Sequence, residues 1–248
     1  MAISIKTDHS LFISDIHLCE QRPDISQAFV NFCTQRAIHA KHLYILGDLS
    51  DSWLGDDDDG PIAQLLQQQL LFLAEHGVKV FIMVGNRDFL MGSGFSNASG
   101  CILLPDPSVI SLYGQSILLM HGDSMCTADT EYMHFRSMIR DPNMQQTLLA
   151  KPLTERRAIA AMLREKSRSA NATKADDIMD VTEDEVVKAF EKHKVKILIH
   201  GHTHRPAIHQ LYSAEKTAIK RYVLGDWDTK GWCIKIEGQQ IELQSFEL

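Results

Sequence analysis

Five short apolar runs, each closing on side chains able to hold a metal, constrain this chain more than any other feature. Leu11-Phe12-Ile13-Ser14 leads into Asp15-Ile16-His17, Leu43 to Leu46 into Gly47-Asp48, and Val80 to Val84 into Gly85-Asn86-Arg87-Asp88. Ile117 to Met120 leads into His121-Gly122-Asp123, and Ile197-Leu198-Ile199 into His200-Gly201-His202-Thr203-His204. Such runs read as short buried strands. An open sheet binds its ligands beyond the carboxyl ends of its strands, so these polar groups are expected along one rim. His202 and His204 stand two apart and point the same way in extended chain, and convergent imidazoles mostly mean metal.

Residues 24–40 and 61–76 show helical spacing. Asp24 is placed to cap the first, Pro61 suits the opening turn of the second, and Gly77 ends it. Strand and helix alternate to about residue 121, a βαβ pattern. From 127 to 193 strand signals vanish. There Thr182-Glu183-Asp184-Glu185 reads as a capping box, opening a helix that runs to about His193. The expected organisation is an α/β body of residues 1–126 and 194–248 with a helical insertion at 127–193.

The bulk numbers exclude several classes. A net charge of -7 argues against a general nucleic-acid binder. Five scattered cysteines without a C-x-x-C pair read as reduced thiols, neither a disulfide framework nor a zinc-thiolate site. No apolar stretch approaches the roughly 20 residues of a membrane helix, and the first residues lack the apolar core of a signal peptide. A cytosolic protein, or one lying on a membrane surface, is expected. Within the insertion, residues 151–174 hold seven basic side chains against two acidic ones. That segment reads either as a solvated, ion-paired helix face or as an arm handling phosphates or an anionic membrane.

The candidate ligands are Asp15, His17, Asp48, Asn86, His121, His202 and His204. Seven donors suit two ions sharing a carboxylate, and several imidazoles favour Mn, Fe, Zn or Co over Mg or Ca. Two such ions about 3.5–4 Å apart clamp a phosphoryl group for in-line attack. Each motif alone has a plain reading: Asp-x-His arises by chance, and Gly-Asp and Gly-Asn are turn dipeptides. His200 reads as structural, while His39, His42, His76 and His193 lack partners in pattern and read as surface residues. The ordered set carries the inference.

The series Asp15-x-His17, Gly47-Asp48, Gly85-Asn86-Arg87-Asp88, His121-Gly122-Asp123 and Gly201-His202-Thr203-His204 resembles the calcineurin-like metallophosphoesterases. Trp53-Leu54-Gly55-Asp56-Asp57-Asp58, Ile178-Met179-Asp180-Val181 and Val223-Leu224-Gly225-Asp226-Trp227 extend the likeness to the UDP-2,3-diacylglucosamine hydrolase family of lipid A biosynthesis, over nearly the whole chain. The resemblance implies a four-layer αββα sandwich with a helical lid. It implies hydrolysis of UDP-2,3-diacylglucosamine to 2,3-diacylglucosamine 1-phosphate (lipid X) and UMP, by water attack on the uridylyl phosphorus assisted by two Mn2+. Such a protein works as a peripheral protein on the cytoplasmic face of the bacterial inner membrane. By the same resemblance one ion falls on Asp15, His17, Asp48 and His204, and the other on Asp48, Asn86, His121 and His202, with Asp48 bridging. Substrate contacts fall on Asn86, Arg87, Asp129, Ser167, Asn171, Lys174 and His202. The catalytic candidates are Arg87, His121 and Asp88. Ser50 and Asp51 depart from the family pattern of an aromatic residue and Glu.

Most metallophosphoesterases carry His where this chain has Arg87. Arginine cannot give up a proton at neutral pH, but it stabilises negative charge. Phosphate leaves a pyrophosphate without needing a proton, so Arg87 favours pyrophosphate over alkyl phosphodiester cleavage. The plain alternative pairs Arg87 with Asp88. The methionine-rich apolar set of the insertion reads as ordinary core or as a cradle for acyl chains. Another hydrolase of the superfamily, or a non-catalytic scaffold of the same fold, remains open at this level.

Overall fold

The structure is a computed structural model that describes residues 8–171, 178–212 and 216–248, with the side chains of Arg168, Ala170 and Asn171 left out. A βα series opens it: β1 (His9–Ile13), α1 (Pro23–Gln35), β2 (His42–Leu46), α2 (Pro61–Glu75), β3 (Lys79–Met83), α3 (Ser93–Ser99) and β4 (Ile102–Leu104). The hairpin β5 (Ser108–Leu112) and β6 (Gln115–Leu119) follows. Four helices come next, α4 (Thr130–Ile139), α5 (Pro142–Leu149), α6 (Leu153–Asn171) and α7 (Glu183–His193). The chain closes with β7 (Ile197–His200), β8 (Ala207–Tyr212), β9 (Ala218–Val223), β10 (Gly231–Glu237) and β11 (Gln240–Phe246).

All five apolar runs are strands, but they divide between two sheets. One sheet runs β11-β10-β1-β2-β3-β4 and the other β5-β6-β7-β9-β8. The single rim expected from sequence is therefore two rims, where parallel β1, β2 and β3 end opposite parallel β6 and β7. The physical reason lies in the period of two along each strand. Leu11, Ile13, Leu43, Ile45, Val80 and Ile82 pack with Phe29 and Phe32 of α1 and Leu66 and Leu70 of α2. Their neighbours Phe12, Tyr44, Leu46 and Met83 fill the space between the sheets against Ile117, Leu119 and Ile199. Leu118 and Leu198 turn outward beneath Val186 and Phe190 of α7. Each run is apolar throughout because it feeds two layers, and the result is the expected αββα sandwich. In the middle layer Phe12, Tyr44 and Phe81 stack in register, with centroids 4.7 and 4.8 Å apart.

The packing of α7 differs from the sequence reading, which placed it in the insertion: it covers the five-stranded sheet as part of the body. Helix starts differ too. Arg22 precedes α1, and Asp24 does not cap it; the Asp24 carboxylate pairs with Arg22 at 2.8 Å. α1 stops at Gln35, and a separate 3₁₀ turn covers Ala37–His39. α2 opens on Pro61 as expected and closes on Gly77 at φ 75°. Thr182 does precede α7, but its hydroxyl accepts from Thr127 Oγ1 at 2.8 Å and makes no capping bond. His42 is half-buried and bonded through Nδ1 to Ser10 Oγ at 3.0 Å, and His76 Nδ1 meets the Phe72 carbonyl at 2.7 Å. Neither is an unpartnered surface histidine. All five cysteines carry free thiols. Among the described residues no helix is long and apolar enough to cross a membrane.

Candidate metal centre

The seven sequence candidates lie two to four residues beyond the ends of β1, β2, β3, β6 and β7. The backbone turns sharply there. Asp15, His17, Asp48, His202 and His204 all have φ between 52° and 68°, a left-handed conformation uncommon outside glycine. It aims each side chain out of the strand direction and across the gap between the sheets. Glycines make room: a Cβ on Gly85 would run into the Asp48 carboxylate, and one on Gly201 into the Asp15 carboxylate.

Two donor groups result. Asp15, His17 and His204 each offer an atom within 4.8 Å of the others, and so do Asp48, His121 and His202. Asp48 lies between the groups, 4.0 Å from His17 Nε2 and 3.7 Å from His121 Nε2. Asn86 joins the second group through Oδ1, 3.0 Å from His121 Nε2. In the first, His17 and His204 bring their Nε2 atoms within 3.2 Å.

Neighbours orient these donors. His121 gives its Nδ1 proton to the Leu46 carbonyl at 2.8 Å, which leaves Nε2 as the donor atom. Asp226, missed from sequence as a site residue, lies 3.4 Å from His204 Nδ1. Asp15 Oδ2 accepts from Ser14 Oγ at 2.6 Å and from the His202 amide at 2.8 Å. Asp15 Oδ1 is buried with no hydrogen-bond partner. A buried carboxylate oxygen that makes no hydrogen bond, 3.5 Å from His204 Nε2 and beside the His17 ring, is what a divalent cation fits.

The charges divide accordingly. Burial works against a charged His204, yet Asp15 and Asp226 raise it to about 10. Burial also opposes the charge on His121, which Asp48 and Asp123 raise to about 9. Burial, with His121 alongside, lowers His202 to about 3, and burial lowers His17 to about 4. Asp15 is held well below the usual carboxylate range, because His204 outweighs its burial.

The remaining predicted residues separate. Arg87 donates its amide to Asp48 Oδ1 at 2.8 Å and its guanidinium to Ser167 Oγ of α6 at 3.3 Å. It does not pair with Asp88 in these bonds. Asp88 is completely buried, and its carboxylate accepts the amides of Gly85 at 2.6 Å, Leu49 at 2.8 Å and Asp48 at 3.3 Å. These bonds give Asp88 a positioning role for the Asp48 and Asn86 loops. Asp129 precedes α4 and caps it through the Tyr132 amide at 3.0 Å. Lys174 and the Asn171 side chain lie outside the described residues. Among the described residues the basic stretch takes the ion-paired reading at four positions: Lys151 pairs with Glu155, Arg156 with Asp57, Arg157 with Asp58 and Asp59, and Arg164 with Asp51. Asp51, one of the two departures from the family pattern, thereby ties α6 to the loop of the central Asp48. Sequence reasoning also missed Tyr132, whose ring lies 5.4 Å from that of His202 and whose hydroxyl meets Asp123 at 3.0 Å.

An αββα sandwich with carboxylate, amide and imidazole donors gathered at its paired strand ends is what the metallophosphoesterase resemblance implies. The sequence model described as calcineurin-like phosphoesterase matches residues 9–206. The chain is 48% identical to a UDP-2,3-diacylglucosamine hydrolase of Cellvibrio japonicus, over 97% of this chain and 100% of that one. It is 49% identical to one of Pseudomonas putida, over 96% of this chain and 98% of that one. A solved archaeal phosphodiesterase covers 97% of this chain and 99% of its own at 10% identity and TM-score 0.48. The chain therefore belongs to the calcineurin-like phosphoesterase family, among its UDP-2,3-diacylglucosamine hydrolases.

Proposed function

We propose that this protein hydrolyses UDP-2,3-diacylglucosamine at its pyrophosphate, releasing 2,3-diacylglucosamine 1-phosphate and UMP, with two Mn2+ at the strand-end centre. The observation that carries the reading is the pair of donor groups joined through Asp48, with Arg87 set between them and α6. Asp15, His17, Asp48 and His204 would hold one ion, and Asp48, Asn86, His121 and His202 the other. Bound there, the ions supply Lewis-acid polarisation of the phosphoryl oxygens. The chain does the rest. Leu46 fixes the His121 tautomer, and Asp88 holds the Asp48 and Asn86 loops in register. Arg87, always cationic, takes up the charge developing on the departing phosphate. The bond from Arg87 to Ser167 ties α6 to the metal centre, and with substrate bound α6 would lie beside the pyrophosphate.

Helices α4 to α6 act as a lid over the sugar and acyl chains. Met138, Met144, Leu149 and Met162 are exposed on them, a flexible apolar surface suited to lipid. That surface brings the protein to the cytoplasmic face of the inner membrane. The net charge of -7 speaks against nucleic acid as a partner. The test supplies UDP-2,3-diacylglucosamine to the metal-free protein with and without Mn2+ and follows UMP. Mn-dependent UMP release supports the proposal. Absence of UMP, or faster hydrolysis of a cyclic nucleotide, overturns it.

A further inference from the structure

The two donor groups share one direct bond, from the His202 amide to Asp15 Oδ2 at 2.8 Å, and are otherwise buttressed largely by different parts of the chain. Asp15, His17 and His204 take their supports from Ser14, the β2 loop and the 226–227 turn: Asp15 N donates to the Gly47 carbonyl at 3.1 Å, His17 N to the Asp48 carbonyl at 3.0 Å, and Trp227 N to the Asp15 carbonyl at 3.1 Å. The other group is backed by one helix of the insertion. Arg140, at the end of α4, donates to the carbonyls of both Val84 and Gly85 at 3.1 Å, immediately before Asn86. The same guanidinium lies 3.7 Å from the buried Asp123, two residues beyond His121. Asp123 is fixed further by Arg136 Nε at 2.9 Å and by the Tyr132 hydroxyl, both from α4. The Tyr132 ring then covers His202. Three donors from three separate loops thus share one support.

The geometry points to Arg140 as a positioning residue that sets the affinity of one metal ion and not the other, so that α4 and half of the metal centre form a single unit. This rests on the two-ion reading above. Arg140 bonds to two backbone carbonyls and faces the Asp123 carboxylate, none of which is a proposed metal donor. It clamps the peptide ahead of Asn86 against the carboxylate that follows His121. Removing outer supports of this kind typically weakens metal binding 10- to 100-fold. Here that loss falls on one binding step.

Metal-free protein is titrated with Mn2+ and free Mn2+ is read by EPR. The wild-type chain binds two ions. Arg140→Met weakens one step about 10- to 100-fold and leaves the other in place, and Arg140→Lys, which keeps the charge and one donor group, weakens the same step less. Double variants assign the step. On a His17→Ala background Arg140→Met weakens the ion that remains. On a His202→Ala background it changes nothing further. Melting curves identify any variant that fails to fold, and Arg140→Lys then carries the measurement. Two ions bound by Arg140→Met with wild-type affinities, or both weakened equally, overturn the inference alone. A wild-type chain that binds one ion overturns the two-ion reading and this inference with it.

Discussion

Asp88→Asn separates a structural carboxylate from a catalytic one. The carboxylate accepts three backbone amides across two loops, from Gly85, Leu49 and Asp48, and no part of Asp88 is exposed. Burial, followed by the nearby Asp48, pushes it up to about 6, so it is ionised above neutral pH. The amide substitute keeps one accepting oxygen. Its NH2 group must then face an amide donor, most directly that of Leu49. A bond to a charged acceptor contributes about 1.5–3 kcal/mol, and an unmet buried donor costs about 1–3 kcal/mol. A net loss of about 2 kcal/mol lowers Tm by roughly 4–8 °C in a domain of this size. The melt is run at pH 7.5 in chelator, so metal binding does not contribute. A Mn2+ titration then reads the second consequence, weaker binding at the Asp48 and Asn86 loops by about 10-fold or more. KM for substrate, once the site is saturated with Mn2+, stays near wild type. A variant that melts with the wild type and binds Mn2+ as tightly, yet has lost turnover, would refute the positioning argument.

Arg87→Ala lowers kcat/KM for the pyrophosphate substrate about 100- to 1000-fold, the loss expected for one donor to developing charge; unchanged kcat/KM removes Arg87 from the reaction. Arg156→Met leaves the Leu54 and Lys151 carbonyls without their donor and destabilises by about 2–4 kcal/mol; Asp57 is 63% exposed and adds little. Hydrogen exchange in α6 should rise with it, and protection equal to wild type counts against the anchor. An aromatic disulfide reagent modifies Cys19 alone in the folded chain, because Cys33, Cys101, Cys126 and Cys233 are buried and burial pushes Cys126 up to about 12. Five fast thiols before denaturant is added contradict that.

Much of the fold was legible because each central strand announces itself twice, by an apolar run and by the polar residue that ends it. Leu43 to Leu46 is apolar at every position since alternate residues serve different layers. That same uniformity hid the division into two sheets, which depends on pairing partners far along the chain, β1 with β10 and β7 with β9. The ligands were legible from their place after strands. Their supports were not. Tyr132, Arg136 and Arg140 look like ordinary surface positions of an amphipathic helix, and only tertiary packing brings them to Asp123. The run Asp56 to Asp59 entered the sequence reading only through a family motif and gave no sign of its partners, yet Asp57, Asp58 and Asp59 are counter-charges of α6. Local rules failed where a distant group competed, as Thr127 does for the hydroxyl of Thr182.

The left-handed backbone at Asp15, His17, Asp48, His202 and His204 has an evolutionary corollary. Each costs on the order of 1–2 kcal/mol relative to right-handed chain, and glycine or asparagine relieves it. Selection for the reaction and selection for a sturdy fold therefore pull in opposite directions at these five positions. A lineage released from the need to turn over substrate would drift there first, and would gain thermal tolerance as it lost its chemistry.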